Sequence, residues 1–185
     1  MGRLILVTGG ARSGKSSFAE ETVRGFGGSI LYIATAIAFD DEMKERIRRH
    51  RLQRPADWET LEAFRDFGRV LPDRLDGRDA VLLDCVTVMV SNIMLQRSMD
   101  WEGISVEEIN KVEQEVTEQV DSLLAIINGA DIPFLLVTNE VGMGVVPPTV
   151  LGRAMRDIAG RVNRQLARAA DEVYLCVSGI PVKIK

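Results

Sequence analysis

Five short runs of mostly apolar residues punctuate the chain. They are Leu4-Ile5-Leu6-Val7-Thr8, Ile30-Leu31-Tyr32-Ile33-Ala34, Ala80-Val81-Leu82-Leu83-Asp84, Pro133 to Val137, and Val173-Tyr174-Leu175-Cys176-Val177. They are continuous rather than alternating and rich in branched side chains. That is the pattern of strands covered on both faces, as in a parallel sheet. A different rhythm separates them. Apolar residues at Val106, Ile109, Val112, Val116, Val120, Leu123, Leu124 and Ile127 recur three and four apart, which marks one face of a helix. Ser105 with Glu108 forms a capping box at its start, and Asn128-Gly129 supplies the stop. Further helices are predicted from Lys15 to about Gly25, from Asp40 to Arg54 ahead of Pro55, from Val86 to Leu95, and from Thr149 to Ala170. Gln96 to Gly103 reads as a surface loop. Ser178-Gly179 turns the chain into a last short strand, Pro181 to Ile184.

Strands that alternate with helices imply βαβ units. The expected fold class is α/β: a mostly parallel central sheet, helices on both faces, and one antiparallel edge strand. The chain of 185 residues shows no internal repeat or linker, so residues 1–185 read as one domain.

Composition narrows the chemistry. The net charge of -4 disfavours a general nucleic-acid binder. Cys85 and Cys176 stand apart in apolar segments, without CxxC or Cys/His spacing, which argues against a structural zinc site. Few cysteines and no signal peptide point to a reducing cytoplasm. No apolar run approaches the roughly 20 residues of a membrane span. His50 is the single histidine, so any imidazole chemistry belongs to it.

The first apolar run leads into Gly9-Gly10-Ala11-Arg12-Ser13-Gly14-Lys15-Ser16, a complete GxxxxGK[ST] motif between a strand and a helix. Glycines let backbone N–H groups curl around a phosphate, and the helix N-terminus adds partial positive charge. Lys15 can reach the outer phosphates, and the Ser16 hydroxyl can ligate Mg²⁺. This gives the fold a P-loop NTPase type. Asp84 closes an apolar strand, where a carboxylate can hold the same ion or cap the following helix. Glu140 ends another strand and is a weaker candidate for either role.

Between Lys44 and Arg54 stand six basic residues (Lys44, Arg46, Arg48, Arg49, Arg51 and Arg54) against one acid, Glu45. Such a run reads either as a solvated helix face or as a phosphate-binding surface. His50 lies within it. A neutral imidazole is a competent nucleophile toward phosphorus, and neighbouring cations favour the neutral form. A covalent phospho-histidine type intermediate and a plain surface histidine both remain open on this chemistry. The stretch Gly142 to Pro148 reads as a lid or pocket wall, or as a connector.

Several blocks together resemble the bifunctional adenosylcobinamide kinase / adenosylcobinamide-phosphate guanylyltransferase family of cobalamin biosynthesis. They are Thr8 to Ser16, Leu31-Tyr32-Ile33-Ala34-Thr35, Asp40-Asp41-Glu42-Met43, Arg46-Ile47 with His50-Arg51, and Arg54-Pro55. Trp58, Thr60 and Glu62 match a Trp-x-Thr-x-Glu pattern. The most specific block is Thr138-Asn139-Glu140-Val141-Gly142-Met143-Gly144-Val145-Val146-Pro147, followed by Arg156 to Asn163 and by Val177 to Lys185.

The resemblance implies two reactions. The first phosphorylates the aminopropanol hydroxyl of adenosylcobinamide with ATP or GTP. The second transfers GMP from GTP to that phosphate, through a guanylylated histidine at the position of His50. It also implies Mg²⁺, a homotrimer, and nucleotide contacts at Gly10 to Ser17, at Thr35, Ala36 and Ile37, at Arg51, Leu52, Gln53 and Arg54, and at Glu62 and Asp84. Asp84 stands where some relatives carry Glu, and Arg51-Leu52-Gln53 lacks the polar, glycine-containing form of others. The alternatives are a P-loop kinase for another small metabolite, without a covalent histidine, and a nucleotide-binding switch.

Overall fold

The computed structural model describes residues 2–37, 41, 44, 45, 48, 55, 57–96 and 99–185. In chain order these form β1 (Leu4–Gly9), α1 (Lys15–Arg24), β2 (Ile30–Ala34), β3 (Glu59–Glu62), α2 (Phe67–Val70), a 3₁₀ turn (Pro72–Arg74), β4 (Ala80–Asp84), α3 (Val86–Leu95), α4 (Val106–Gly129), β5 (Phe134–Val137), α5 (Val150–Ala169), β6 (Glu172–Val177) and β7 (Ile180–Lys183). The sheet has seven strands in the order β3-β2-β4-β5-β1-β6-β7. All neighbours are parallel except β6 and β7, which pair antiparallel. This is the expected α/β architecture, with its antiparallel edge.

The continuous apolar strands are explained by cover on both faces. Leu4 and Leu6 of β1 join one core with α3, α4 and α5, while Ile5 and Val7 join another with Ala19 and Val23 of α1. Successive side chains point to opposite faces, so a strand sandwiched by helices has no polar side to show.

Two elements were not visible in the hydrophobic pattern. Strand β3 reads Glu-Thr-Leu-Glu and lies at the sheet edge, where only alternate residues need to be apolar. Leu61 packs against the core, and Glu59 pairs with Arg74 and Arg78 on the outside. The short helix α2 follows, with Phe67 and Leu71 fully buried. The surface loop expected over 96–103 is present in its described residues, 96 and 99–103, but two of its side chains turn inward. Trp101 is only 9% exposed and belongs to the core, and Met99 packs against that same core. A large aromatic ring turned inward removes more apolar area from water than the surrounding polar residues gain by staying out. Of the helix predicted over 40–54, Asp41, Lys44, Glu45 and Arg48 are helical. The remainder, including Asp40, lies outside the described residues.

The capping box is present in full. The Ser105 hydroxyl accepts from the Glu108 N–H at 3.2 Å, and the Glu108 carboxylate accepts from the Ser105 N–H at 3.1 Å. These bonds, from the backbone first and the hydroxyl second, hold the Glu108 carboxyl below its ordinary value. A lowered carboxyl stabilises the fold above its unfolded-state pKa and loses that contribution as pH falls through the folded-state value. Replacing Ser105 by Ala is expected to cost about 1 kcal/mol, read as a lowered urea midpoint with an unchanged m-value. The Ser105→Ala chain should also depend less on pH in the acid range.

No helix among the described residues is long and apolar enough to cross a membrane.

Candidate active site at the carboxyl edge of the sheet

The parallel strands bring their carboxyl ends to one rim. In register, Ala34 lies beside both Glu62 and Asp84, Asp84 beside Val137, and Val137 beside Val7. Gly9 lies beside Cys176 on the far side of β1. The rim therefore gathers the phosphate loop, Thr35, Glu62, Asp84 and the Thr138-Asn139-Glu140 segment. In open α/β sheets this is where ligands bind.

The loop from Gly9 to Ser16 is held from outside. A Cβ on Gly9 would lie 2.5 Å from the Cys176 carbonyl oxygen and 2.7 Å from Ser13 Oγ, at a φ of 152°. Only glycine fits there. Gly14 takes a left-handed conformation as the residue before α1. It also lies against Gly179 of the β6–β7 turn, whose N–H donates to the Ser13 carbonyl at 3.0 Å. The antiparallel hairpin thus braces the loop. Among the described residues, the N–H groups of Ala11, Arg12, Ser13, Gly14, Ser16 and Ser17 donate to no protein acceptor. These donors line the start of α1, where the helix dipole favours an anion.

Lys15 is buried, and its Nζ donates to the Gly10 carbonyl at 2.6 Å. Burial raises the pKa of the two thiols near the ends of β4 and β6, and the Lys15 charge offsets only part of that rise at each. Burial dominates at both. It pushes the Cys85 thiol up to about 12, with the Asp84 carboxylate adding to the rise, and it raises Cys176 as well. Both thiols are therefore neutral at ordinary pH and poor nucleophiles.

Asp84 is half-buried at the end of β4 and accepts from the Tyr32 hydroxyl at 3.2 Å. Thr35 is 1% exposed. Its hydroxyl donates to the Cys85 carbonyl at 2.8 Å and accepts from the Cys85 N–H at 2.9 Å. Its carbonyl accepts from Asn92 Nδ2 at 2.6 Å, and its N–H donates to the Asp84 carbonyl at 3.4 Å. Ala36 and Ile37 follow, half-buried and exposed, and Glu62 is exposed at the end of β3. The predicted site residues His50, Arg51, Leu52, Gln53 and Arg54 lie outside the described residues.

Sequence reasoning singled out the Thr138 to Pro147 block without seeing what holds it. Thr138 Oγ1 donates to Asn163 Oδ1 at 2.7 Å, and Asn163 Nδ2 donates to the Asn139 carbonyl at 2.9 Å. The Asn139 N–H donates to Thr87 Oγ1 at 2.7 Å. The Glu140 N–H then donates to the Gly9 carbonyl at 3.0 Å, which ties the block to the phosphate loop. Asn92, Asn163 and Thr87 were missed as site residues. Thr87 and Asn92 sit on an apolar helix, where a polar residue carries no motif, and Asn163 closes a block that resembles the family without showing what its side chain would hold.

The family model for cobinamide kinase / cobinamide phosphate guanyltransferase matches residues 5–184 of this chain. The chain belongs to that family. It is similar to the bifunctional adenosylcobalamin biosynthesis protein CobU of Escherichia coli strain K12, with 47% identity over 98% of this chain and 99% of the relative. The protein of that name in Salmonella typhimurium is 46% identical over the same shares. The bifunctional adenosylcobalamin biosynthesis protein CobP of Pseudomonas aeruginosa is 34% identical over 97% of this chain and 96% of its own. Members of this family are P-loop NTPase-type proteins, in keeping with the braced loop at the rim.

Proposed function

We propose that this chain phosphorylates adenosylcobinamide with ATP or GTP. It then transfers GMP from GTP to the product, giving adenosylcobinamide-GDP. The observation that carries the reading is the rim itself. In a chain that matches this family along nearly its whole length, Lys15 and Glu140 bond to the phosphate loop, and Asp84 ends a strand on the same rim, two strands from β1.

Both steps attack a nucleotide phosphate, so one loop can serve both. In the first, the substrate hydroxyl attacks the γ-phosphorus, its proton is lost, and the nucleoside diphosphate leaves. In the second, a neutral His50 nitrogen attacks the α-phosphorus and pyrophosphate leaves. The phosphate of adenosylcobinamide phosphate then displaces the imidazole from the bound GMP. Splitting one displacement into two is the ordinary advantage of a covalent intermediate. The loop N–H groups and Lys15 hold the phosphates in place and balance the charge that builds on them.

Asp84 and Ser16 would hold Mg²⁺. Their donor set of one carboxylate and one hydroxyl suits this ion, which prefers hard oxygens and usually takes the rest of its shell from phosphates and water. When bound, it would neutralise phosphate charge. Thr35, Ala36, Ile37, Arg51, Leu52, Gln53, Arg54 and Glu62 complete the proposed nucleotide surface. A homotrimer in the cytoplasm is part of the proposal. The apolar row of Val177, Ile180, Val182 and Ile184 along the exposed hairpin supports an assembled state.

The test is intact-mass spectrometry after incubation with GTP and Mg²⁺. One acid-labile GMP adduct per chain is expected, discharged by adenosylcobinamide phosphate. Phosphorylation of adenosylcobinamide without any adduct would leave a single-activity kinase.

A further inference from the structure

The segment from Gly142 to Pro148 joins β5 to α5. Because β5 runs parallel to its neighbours, this connection leaves the sheet at the same rim as the phosphate loop. The strand order β4-β5-β1 sets it between Asp84 on one side and the phosphate loop on the other. Both of its ends are fastened. At the start, the Glu140 N–H donates to the Gly9 carbonyl at 3.0 Å, and the Glu140 carboxylate accepts from the Gly142 N–H at 2.7 Å. At the end, Arg153 Nη1 donates to the Pro148 carbonyl at 2.6 Å, and the Thr149 hydroxyl caps α5 by accepting from the Gly152 N–H at 3.1 Å. Between these anchors three apolar side chains stand in the open. Met143 is 82% exposed, Val145 94% and Val146 59%. A singly exposed apolar residue is ordinary, but a cluster of them on a fastened loop at a ligand-binding rim marks a contact surface.

We propose that this tip is the seat of the acceptor: the apolar face of the corrin ring rests on Met143, Val145 and Val146 while the aminopropanol arm reaches the phosphate loop. The inference deepens the proposed function and rests on it. A corrinoid is a broad macrocycle edged with methyl groups, so it offers a large apolar area. Both proposed reactions need that ring close to the nucleotide phosphates, yet outside the narrow loop that holds them. The β5–α5 connection meets both conditions, since it is bonded to the phosphate loop at its base and open at its tip. A methionine suits such a surface because its flexible thioether adapts to an irregular outline. The competing occupant is a second copy of this chain. Three side chains by themselves fall well short of the roughly 800 Å² per partner of a stable subunit contact. The apolar row of Val177, Ile180, Val182 and Ile184 lies instead on the far side of β1, at the β6–β7 edge of the sheet. Assembly through that edge does not require the rim loop.

The experiment compares two double variants, Met143→Ser with Val145→Ser and Met143→Leu with Val145→Ile, against the wild type. Each protein is assayed for adenosylcobinamide phosphorylation and for adenosylcobinamide binding by equilibrium dialysis, with and without a non-hydrolysable GTP analogue. Sedimentation velocity gives its state of assembly. The serine pair should raise both KM and Kd for adenosylcobinamide by roughly 10- to 100-fold, the loss expected when two apolar side chains no longer share a buried contact. At saturating corrinoid its kcat should stay within about threefold, because that contact is made equally in the ground and transition states. The Leu and Ile pair keeps the apolar area and should bind the corrinoid like the wild type. Affinity for the GTP analogue should be the same in all three proteins. Unchanged corrinoid binding by the serine pair, or an equal loss of corrinoid and GTP-analogue binding, would overturn the seat. A smaller assembly for the serine pair would assign the tip to a subunit contact instead. A wild type that neither binds nor phosphorylates adenosylcobinamide would sink the proposed function itself, and the seat with it.

Discussion

Replacing Lys15 by Met should abolish both activities while leaving the fold in place. The Lys15 stem is buried among the loop and the strand ends, and Met fills a similar volume without the charge. What is lost is the ammonium, which now sits 2.6 Å from the Gly10 carbonyl and is close enough to act on the thiols of Cys85 and Cys176. Its charge is thus felt along the rim from β4 to β6, beside the phosphate loop. Negative charge moves onto phosphate oxygens in either transition state, so one missing cation weakens both. Removing a single pre-positioned charge-stabilising donor typically costs about 10²–10³-fold in rate, and that loss is expected in each reaction. The check is paired initial rates at saturating nucleotide, with the thermal midpoint as a control. If either activity keeps more than about a tenth of its rate, the shared-loop mechanism is wrong.

His50→Ala should divide the two activities where Lys15→Met removes them together. No GMP adduct should form, and transfer of GMP to the corrinoid phosphate should fall by about 10³-fold or more, as when a covalent nucleophile is deleted. Phosphorylation of adenosylcobinamide should persist within about threefold, because its nucleophile is the substrate hydroxyl and its electrophile is held by the loop. The chain has one histidine, so no second imidazole can substitute. The neutral, buried thiols of Cys85 and Cys176 are poor replacements. Direct, histidine-independent transfer would show itself as adenosylcobinamide-GDP made by His50→Ala at close to the wild-type rate.

Much of the fold was legible because its signals are local. A sandwiched strand has to be apolar along its whole length, and β1, β2, β4, β5 and β6 all announced themselves in this way. Helix α4 carried its own cap and stripe; the cap and the stripe from Ile109 to Ile127 were found where expected, while Val106, in the first turn, is exposed instead. Strand β3 and the inward turn of Trp101 were hidden for the same reason in opposite senses. An edge strand does not need an apolar run, and a lone tryptophan between polar residues carries no periodicity.

The site divides along the same line. The phosphate loop was readable because its parts are contiguous: a strand, glycines where a Cβ would collide, a lysine and a helix start. Asp84 was readable because it ends an apolar strand. By itself the sequence determined which residues could handle phosphate and which single histidine could take it up. Only the tertiary structure decided that the Thr35 hydroxyl is consumed by Cys85, that Asn92 grips its carbonyl, and that Asn163 and Thr87 secure the Asn139 turn. Those bonds join positions separated by 24 to 57 residues. Parallel strands make the difference: their crossovers bring distant carboxyl ends to one rim, and a buried polar atom there must find its partner across the sheet.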